Sequence, residues 1–336
     1  MKPKTKKQSQ LRLRILPTQP MPESDSESAL TSLRSVENPP MSRRRSFKLS
    51  SSCAGNLDLA ETMKRRSQRH QNRVKNAATQ TAINYIYKYA ARSISELFDK
   101  CSAEEFAAIV YCSPSDYHRS IQPALDLFIK DSLELQRKNR WEYMLSFAAY
   151  NEEQEREILR LFTVQQIDPV YFAMCLKSVL TCELPKKNAI KIYGAANSGK
   201  SLIAQLIASC FICSYANNHG SENEFFLSNM LNKALILCEE LFVTPATCED
   251  FKSILGGANI DISKKFNEKQ ILSRTPVIIT SNYSLFGRGH LSHVDETALQ
   301  LRCFSFCFNH IFAPNCQITA PAFYHFLWLC DNQDLL

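Results

Sequence analysis

The chain has 336 residues, of which 45% are hydrophobic and 22% charged, and its mean hydropathy is −0.24. This composition is typical of a soluble protein with one large domain or two smaller ones. No run of about 18 apolar residues occurs, which excludes a membrane-spanning helix. The polar start, Met1–Lys7, lacks the apolar core of a secretory signal.

Residues 1–75 carry most of the positive charge. They hold 17 Lys and Arg residues but only 6 Asp and Glu, a net charge of +11, whereas the whole chain has +7. Because aromatic residues are few, we expect a disordered basic arm. Two clusters, Arg43–Lys48 and Lys64–Arg69, are typical of nuclear import signals or nucleic-acid contacts. A solvated run of charges is the alternative.

Residues 76–185 predict a helical region. Ala, Leu, Glu, Lys and Gln dominate, and glycine is absent from 56 to 193. Pro123 is predicted as the first residue of one helix, because apolar residues follow it at helical spacing. Glu155–Phe162 predicts a second amphipathic helix. We expect this region to serve in oligomerisation or DNA binding, and the pattern does not choose between them.

Residues 186–312 predict an α/β domain, since short β-branched apolar runs alternate with helical stretches. The expected strands are Ala189–Tyr193, Ala234–Cys238, Pro276–Thr280 and Cys303–Phe308. The expected helices are Ser201–Phe211 and Glu249–Leu255. Residues 313–336 are apolar and aromatic, which predicts a tail that packs on this domain as a terminal helix.

A phosphate-binding loop is the strongest single motif. It has the form G-x-x-x-x-G-K-[ST], with an apolar strand before it and an amphipathic helix after it. Glycines permit the backbone to aim its N–H groups at phosphate oxygens. Lys200 is expected to reach the β- and γ-phosphates, and the Ser201 hydroxyl to bind Mg²⁺. The alternative is a glycine turn with an exposed lysine. The candidate phosphate-binding residues are Gly194, Ala195, Ala196, Asn197, Ser198, Gly199, Lys200 and Ser201.

Polar residues follow the next expected strands. Glu239 and Glu240 end one apolar run, where carboxylates can contact Mg²⁺ and the attacking water. We assign Glu239 to the metal and Glu240 to the water, although the two roles are interchangeable. Asn282 follows another run and is expected to bind the water or the γ-phosphate. Arg302 is either a surface residue or an arginine finger that reaches a neighbouring subunit.

The order of these motifs resembles a superfamily 3 helicase. It is most similar to the large non-structural replication protein of parvoviruses, densoviruses and bidnaviruses. The resemblance covers about 165–310. It is carried by Asp168-Pro169, the Walker A loop Gly194–Ser201, the Walker B run Leu237–Glu240, the DNA-contacting motif Phe251–Gly257 with Lys264-Lys265, the sensor Thr275–Asn282 and Leu301–Phe304 at the arginine-finger position.

The resemblance implies an AAA+-like P-loop domain that assembles into a hexameric ring with ATP and Mg²⁺ between subunits. It further implies translocation on single-stranded and duplex viral DNA in the host nucleus. Lys264, Lys265 and Lys269 would lie at the tip of a hairpin and grip phosphates without reading sequence. The alternative is a solvated lysine-rich turn.

Departures from the family pattern leave other functions open. The family's nuclease has a His-hydrophobic-His metal site, and the seven histidines here form no such pair. We therefore expect no nicking, and a separate initiator or polymerase as partner. A DNA-binding ATPase that acts in genome packaging or transcription regulation without unwinding is the main alternative. A viral RNA helicase and a nucleotide kinase fit less well.

Zinc binding is a weak alternative for the cysteines of the α/β region. Cys303, Cys307 and His310 alternate along an expected strand, so we expect no zinc site there. Cys210 and Cys213 are predicted to pack on the helix after the phosphate loop. Thirteen cysteines without a framework spacing indicate free thiols in a reducing compartment.

Overall fold

The structure, a computed structural model, describes residues 52–216, 227–264 and 267–332. Within these residues, eight helices precede the first strand and seven strands follow, with four further helices among or after them. The helices are α1 Ser52–Arg73, α2 Ala77–Tyr89, α3 Ile94–Lys100, α4 Ala103–Cys112, α5 Tyr117–Lys138, α6 Arg140–Leu145, α7 Glu152–Val164, α8 Pro169–Leu180, α9 Lys200–Ala208, α10 Cys248–Gly256, α11 His293–Gln300 and α12 Ala320–Asp331. The strands are β1 Ala189–Gly194, β2 Cys213–Ala216, β3 Leu235–Glu239, β4 Ile260–Lys264, β5 Asn267–Leu272, β6 Val277–Ser281 and β7 Cys303–Phe308.

Five parallel strands form the central sheet in the order β2-β3-β6-β1-β7. Strand β6 lies between the strand that leads into the phosphate loop and the strand that ends in the two glutamates. The register pairs Tyr193 with Ser281 and Glu239 with Thr280. Parallel strands end at one edge, so these polar residues lie along the same carboxyl edge of the sheet. The expected α/β fold is confirmed.

Helices cover both faces of this sheet, which explains why its strands read as near-continuous apolar runs. Ile190 and Ile192 pack with α7, α8, α9 and α12 on one face. Ala189 packs on the other face with α10 and with Ile236 and Val277 of the neighbouring strands. The expected terminal helix is α12, in which Phe323 and Leu327 are among the buried residues.

Asn188, just before β1, fastens the amino edge of the sheet. It is fully buried, and its backbone N–H lies 3.1 Å from the Leu255 carbonyl and 3.2 Å from the Arg302 carbonyl. Its side-chain amide donates to the Ile254 carbonyl at 3.1 Å and to the Thr275 carbonyl at 2.8 Å. One residue therefore ties α10, β6 and the start of β7 to β1.

Helix α1 corrects the prediction of a disordered arm up to residue 75. Residues 1–51 lie outside the described residues, but Ser52–Arg73 is helical. Arg66 pairs with Asp131 and Glu134 of α5, at 3.1 Å each. His70 lies 3.0 Å from Asp131, and the Tyr87 hydroxyl donates to the same carboxylate at 2.7 Å. Partly buried ion pairs hold α1 against α5. The prediction of disorder considered only how few residues could form a core, so it could not detect these ion pairs.

The hairpin predicted around residues 260–271 is present as the antiparallel pair β4–β5. Ile262 and Leu272 are buried against the core beside α10. Lys269 is exposed but lies within β5 and not at the tip of the hairpin, where it was predicted. Lys265 and the side chain of Lys264 lie outside the described residues. Among the described helices, none combines the length and the apolar character that a membrane crossing requires.

Candidate nucleotide-binding site

The phosphate loop depends on two glycines in the left-handed region. Gly194 has φ +132°, and a Cβ there would lie 2.2 Å from the Phe308 carbonyl oxygen. Gly199 has φ +93°, and a Cβ there would lie 2.9 Å from Leu161. A side chain at position 194 would push the loop off the backbone of β7, and one at position 199 would displace the Leu161 side chain of α7, since real Cβ contacts are not that short. The loop is thus seated against both elements.

Gln165, at the end of α7, fastens the back of the loop. Its buried side-chain amide donates to the Ser198 carbonyl at 3.1 Å and to the His310 carbonyl at 2.6 Å, and it accepts from the His310 N–H at 3.0 Å. Phe312 donates its N–H to the Asn197 carbonyl at 2.9 Å. The segment after β7 and the end of α7 therefore set the loop's position.

Lys200 lies at the start of α9 and is buried. Its ammonium donates to the Gly194 carbonyl at 3.1 Å and also to the Ala195 carbonyl. Burial lowers the pKa of Lys200 below its ordinary value, and the negative charge of Glu240 opposes that change. The ammonium is thus inside the loop and within the field of the second glutamate.

The two glutamates and Asn282 meet at the carboxyl ends of β3 and β6. Glu239 and Glu240 are exposed, and Glu240 has φ +51°. Glu240 donates its N–H to the Thr280 carbonyl at 2.8 Å, and its Oε2 accepts from the Asn282 N–H at 3.3 Å. These contacts place the Glu240 carboxylate next to the sensor residue and within the electrostatic range of Lys200.

Arg288 is a neighbour of this site that the sequence did not reveal. Its Nη2 lies 3.4 Å from the Glu240 carbonyl and 4.0 Å from the Glu240 Oε2. The guanidinium stacks over the Tyr283 ring at 4.2 Å and lies 5.2 Å from the Phe242 ring. Arginine often stacks on aromatic faces in this way, which fixes the orientation of its donors.

A groove of about 620 Å³ joins the loop to the sensor residue. It runs along the carboxyl edge, with Asn282 at one end, the loop in the middle and Asn309 at the other end. Open α/β sheets bind ligands at this edge. The start of the loop and Asn282 line the groove, and the Lys200 ammonium and the two carboxylates lie at the same edge of the sheet. This set of groups is suited to a polyphosphate and a hard cation.

The donors assigned to Mg²⁺ fit that ion chemically. Ser201 exposes its hydroxyl in the first turn of α9, and Glu239 exposes its carboxylate at the end of β3. Mg²⁺ binds oxygen ligands of this kind, usually one or two from the protein together with substrate phosphates. Each of the two donors lies in the element that the motif assigns to it, Ser201 in α9 and Glu239 in β3.

Lys191, in the middle of β1, is a second feature missed at the sequence level. It is 1% exposed and donates to the Ser284 carbonyl at 2.6 Å. Its ammonium lies 3.8 Å from the centre of the Phe286 ring. Glu296 accepts from the N–H groups of Phe286 and Gly287 at 2.5 and 3.0 Å. Burial lowers the pKa of Lys191 to about 8. The buried ammonium of Lys191 and the buried carboxylate of Glu296 thus hold the loop that follows Asn282.

Arg302 lies at the other edge of the sheet. It precedes β7, whose residues run from a pair with Ala189 to a pair with Gly194, so it is about 20 Å from its own phosphate loop. Its Nη1 donates to the Ala298 carbonyl, and its buried Nε has no partner among the described residues. The structure therefore does not bring Arg302 together with the other predicted site residues of the same chain.

The described cysteines and carboxylates do not form an evident zinc site. Cys248, Glu249 and Asp295 approach one another, but the Lys252 ammonium lies 2.6 Å from an oxygen of each carboxylate and occupies their side of the cluster. Cys303 is buried, and burial raises the pKa of its thiol to about 12. Cys213 begins β2 rather than lying on the helix after the loop.

A family model described as parvovirus non-structural protein NS1 matches residues 113–335, about two thirds of the chain. The chain belongs to the parvovirus NS1 family. Among curated relatives, the initiator protein NS1 of human bocavirus 2 is 31% identical over 147 residues. Protein Rep52 of adeno-associated virus 2 is 28% identical over 144 residues.

These alignments cover only parts of the relatives. The bocavirus alignment spans 43% of this chain and 19% of the relative, and the Rep52 alignment spans 43% and 36%. Among solved structures, the JCV helicase with a bound acetamide compound superposes with a TM-score of 0.49 at 14% identity, over 70% of this chain and 78% of that one.

Proposed function

We propose that this NS1-family chain is an ATP-dependent DNA helicase that serves the replication of a small viral DNA genome. It would hydrolyse ATP at the subunit interfaces of a hexameric ring, with Mg²⁺ as cofactor and the host nucleus as its place of action. Family membership supports the viral context, and the relatives named as initiator proteins support a role in replication.

One observation carries the proposal. The phosphate loop with Lys200, the glutamates after β3 and Asn282 after β6 all lie along the carboxyl edge of the sheet, where Asn282 shares one groove with the start of the loop. Three elements far apart in sequence supply the groups that phosphoryl transfer to water needs: a phosphate cradle, carboxylates and a polar amide. A phosphate-binding loop alone would not supply the last two.

The residues would act as follows. The backbone of the loop and Lys200 bind the β- and γ-phosphates and neutralise charge that develops in the transition state. Bound Mg²⁺, held through Ser201 and Glu239, supplies further charge neutralisation. Glu240 accepts a proton from the attacking water, and Asn282 orients that water. Arg302 of an adjacent subunit would complete the site, because within one chain it lies at the opposite edge.

The direct test is ATP hydrolysis with and without single-stranded DNA, measured beside strand displacement on a tailed duplex. We expect DNA-stimulated hydrolysis and unwinding by the wild type. Lys200→Ala should lose hydrolysis by at least two orders of magnitude, and Glu240→Gln should bind ATP without hydrolysing it. Loss of nucleotide binding in Glu240→Gln would contradict its assignment as the base.

The same measurements also distinguish a DNA helicase from an ATPase that acts in genome packaging or transcription regulation without unwinding DNA. Assembly must be verified by light scattering in the same buffer. Hydrolysis without strand displacement by an assembled ring would contradict unwinding and favour the second function. Retained hydrolysis in Lys200→Ala would contradict the assignment of the phosphate loop itself.

A further inference from the structure

A small polar cavity lies where the helical region meets the amino edge of the central sheet. It has a volume of about 210 Å³ and is lined by Arg137, Lys138, Asn139, Arg140, Leu180 and Thr181. These residues come from the end of α5, the start of α6 and the end of α8. The nucleotide groove lies at the carboxyl edge, so this cavity is a separate feature at the opposite edge of the sheet.

Arg140 is the inner residue of the cavity, and its side chain is buried. Its Nε donates to the Ala234 carbonyl at 2.7 Å, and its Nη1 lies 3.9 Å from the Cys182 sulfur. Neither partner is a carboxylate. A guanidinium has five N–H donors. Arg140 therefore keeps donors that no described residue accepts.

Arg137 and Arg274 bring further positive charge to this buried guanidinium. Arg137 is exposed, and its Nε and Nη2 donate to the Lys233 carbonyl at 3.3 and 3.0 Å. Arg274, in the segment between β5 and β6, donates to the carbonyls of Leu184 and Lys187. Among the described residues, no carboxylate forms an ion pair with any of the three arginines.

The electrostatics of the cluster favour an anion. Burial lowers the pKa of Arg140 below its ordinary value, the Cys182 thiol opposes that change, and the charges of Arg137 and Arg274 lower the pKa further. A buried cation that has no counter-ion is costly. An anion in the cavity would remove that cost, because it would meet the unused donors of Arg140 directly.

We propose that this cavity binds one backbone phosphate of a DNA strand. Guanidinium groups bind phosphate oxygens strongly, and those of Arg137 and Arg140 are held in place by backbone carbonyls. The volume is below the about 300 Å³ of pockets that enclose whole small molecules. The cavity thus fits a phosphate group and not a nucleotide. Lys138 extends the positive surface into solvent, which suits a chain of phosphates better than a free ion.

The position of the cavity also favours a DNA strand. The β4–β5 hairpin returns to the sheet through the segment that contains Arg274, and Arg274 lies within the electrostatic range of Arg140. A strand that follows the hairpin toward the sheet therefore meets this cluster. The contact goes beyond the proposed function, because it makes the end of α5 part of the DNA path. It involves a phosphate only, so it carries no sequence preference.

The salt dependence of DNA binding tests the proposal. Fluorescence anisotropy measures how full-length protein binds a labelled single-stranded oligothymidine, with and without a non-hydrolysable ATP analogue, from about 50 to about 200 mM salt. Arg137→Gln should weaken binding about tenfold at the lower salt concentration. It should also reduce the slope of log affinity against log salt by about one. Arg140→Gln should reduce the slope likewise, and the exposed Arg137 provides the test if Arg140→Gln does not fold.

Two matched variants separate charge from structure. Arg137→Lys retains the positive charge and should retain the slope. Arg119→Gln removes an exposed arginine from the same helix and should change neither affinity nor slope. An unchanged slope in Arg137→Gln would overturn the phosphate site. So would an equal loss of slope in Arg137→Lys or in Arg119→Gln, because the effect would then not belong to a charge at this cavity.

ATP hydrolysis without DNA is measured on the wild type in parallel, so that the two proposals fail separately. A reduced slope in Arg137→Gln together with no hydrolysis by the wild type would support the phosphate site and contradict the ATPase. Normal hydrolysis by the wild type with an unchanged slope in Arg137→Gln would support the ATPase and overturn the phosphate site. Absence of DNA binding by the wild type would also overturn it.

Discussion

The Gln165 amide nitrogen lies 3.1 Å from the carbonyl oxygen of Ser198, and the same side chain pairs with both backbone groups of His310. A single buried side chain thus joins the end of α7, the phosphate loop and the segment after β7. Buried amides whose partners are all satisfied specify one arrangement of the elements that they connect.

Gln165→Leu should therefore loosen the loop. Removing the amide leaves the Ser198 and His310 backbone groups without partners, which should destabilise the fold by about 2 kcal/mol and weaken ATP binding about tenfold. Gln154→Leu is the matched control. Gln154, also on α7, accepts from the Thr319 N–H and hydroxyl but does not contact the loop. Urea unfolding and nucleotide titration should show a stability loss in both variants and an affinity loss only in Gln165→Leu.

Arg288→Ala should reduce kcat about tenfold and leave the dissociation constant for ATP unchanged within a factor of two. Arg288 contacts the Glu240 backbone carbonyl and faces the Glu240 carboxylate. Its loss should therefore misplace that carboxylate without disturbing the phosphate loop. Arg119→Ala, at an exposed arginine of α5, is the control. A weaker affinity for ATP with an unchanged kcat would contradict a positioning role for Arg288.

Arg302→Ala should abolish hydrolysis because each altered subunit no longer supplies the arginine to the site of its neighbour in the assembly. If Arg302 completes the site of an adjacent subunit, a mixture of Arg302→Ala and Lys200→Ala subunits contains interfaces with an intact loop and an intact arginine. Mixing should restore a measurable fraction of activity, with a maximum at intermediate ratios. Activity that stays at background at every ratio, in rings verified to be mixed, would contradict a shared site.

Lys191 predicts a specific pH dependence of stability. Burial lowers its pKa to about 8, below the ordinary 10.5, so between these pH values the unfolded chain binds a proton that the folded chain does not. Stability conferred through this group therefore rises with pH across that window. The difference in unfolding free energy, wild type minus Lys191→Met, should increase by about 2 kcal/mol from pH 7 to pH 10. Parallel pH profiles of the two proteins would show that Lys191 does not titrate there.

Two deletions should behave differently because α1 is docked. Removal of residues 1–51 leaves the helix intact and should not change the melting temperature. Removal of 1–75 takes away Arg66 and His70, so that of the described contacts to the Asp131 carboxylate the Tyr87 hydroxyl remains, and stability should fall by about 3 kcal/mol. Equal melting temperatures would contradict a structural role for α1. Both deletions should retain DNA-independent ATP hydrolysis if the arm is not part of the site.

The same deletions address nuclear import. Arg43–Lys48 is removed by both, whereas Lys64–Arg69 survives the shorter one. In the structure, Arg66 of the second cluster pairs with Asp131 of α5, and Ser67 is buried. We therefore expect the shorter deletion to abolish nuclear accumulation. Undiminished accumulation of the shorter protein would assign import to another segment.

The strands and the phosphate loop were predictable because their signals are local. A parallel strand buried on both faces is a short apolar run, and the loop's glycines and lysine lie within seven consecutive residues, Gly194–Lys200. Strand β2 was missed, since its four residues, Cys213–Ala216, carry no such run. Helix α5 begins at Tyr117 and not at Pro123, because the buried face formed by Ile121 and Leu125 continues past the exposed proline.

The unpredicted parts of the site depend on contacts between distant segments. Gln165 and His310 are 145 positions apart, and Glu240 and Arg288 are 48 apart. A glutamine at the end of a helix or an arginine in a turn has no distinctive local pattern. Their roles follow from the order of strands in the sheet, which places the ends of β3, β6, β1 and β7 side by side.

Asn188 mechanically couples the β4–β5 hairpin to the amino edge of the central sheet. Its backbone N–H and side-chain amide hold the end of α10, from which the β4–β5 hairpin departs, and its N–H also lies beside the carbonyl of Arg302. A displacement of the hairpin would therefore be transmitted both to the start of β1 and to Arg302. The hairpin is thus connected to the segment that contains Arg302 by a route that does not pass through the phosphate loop.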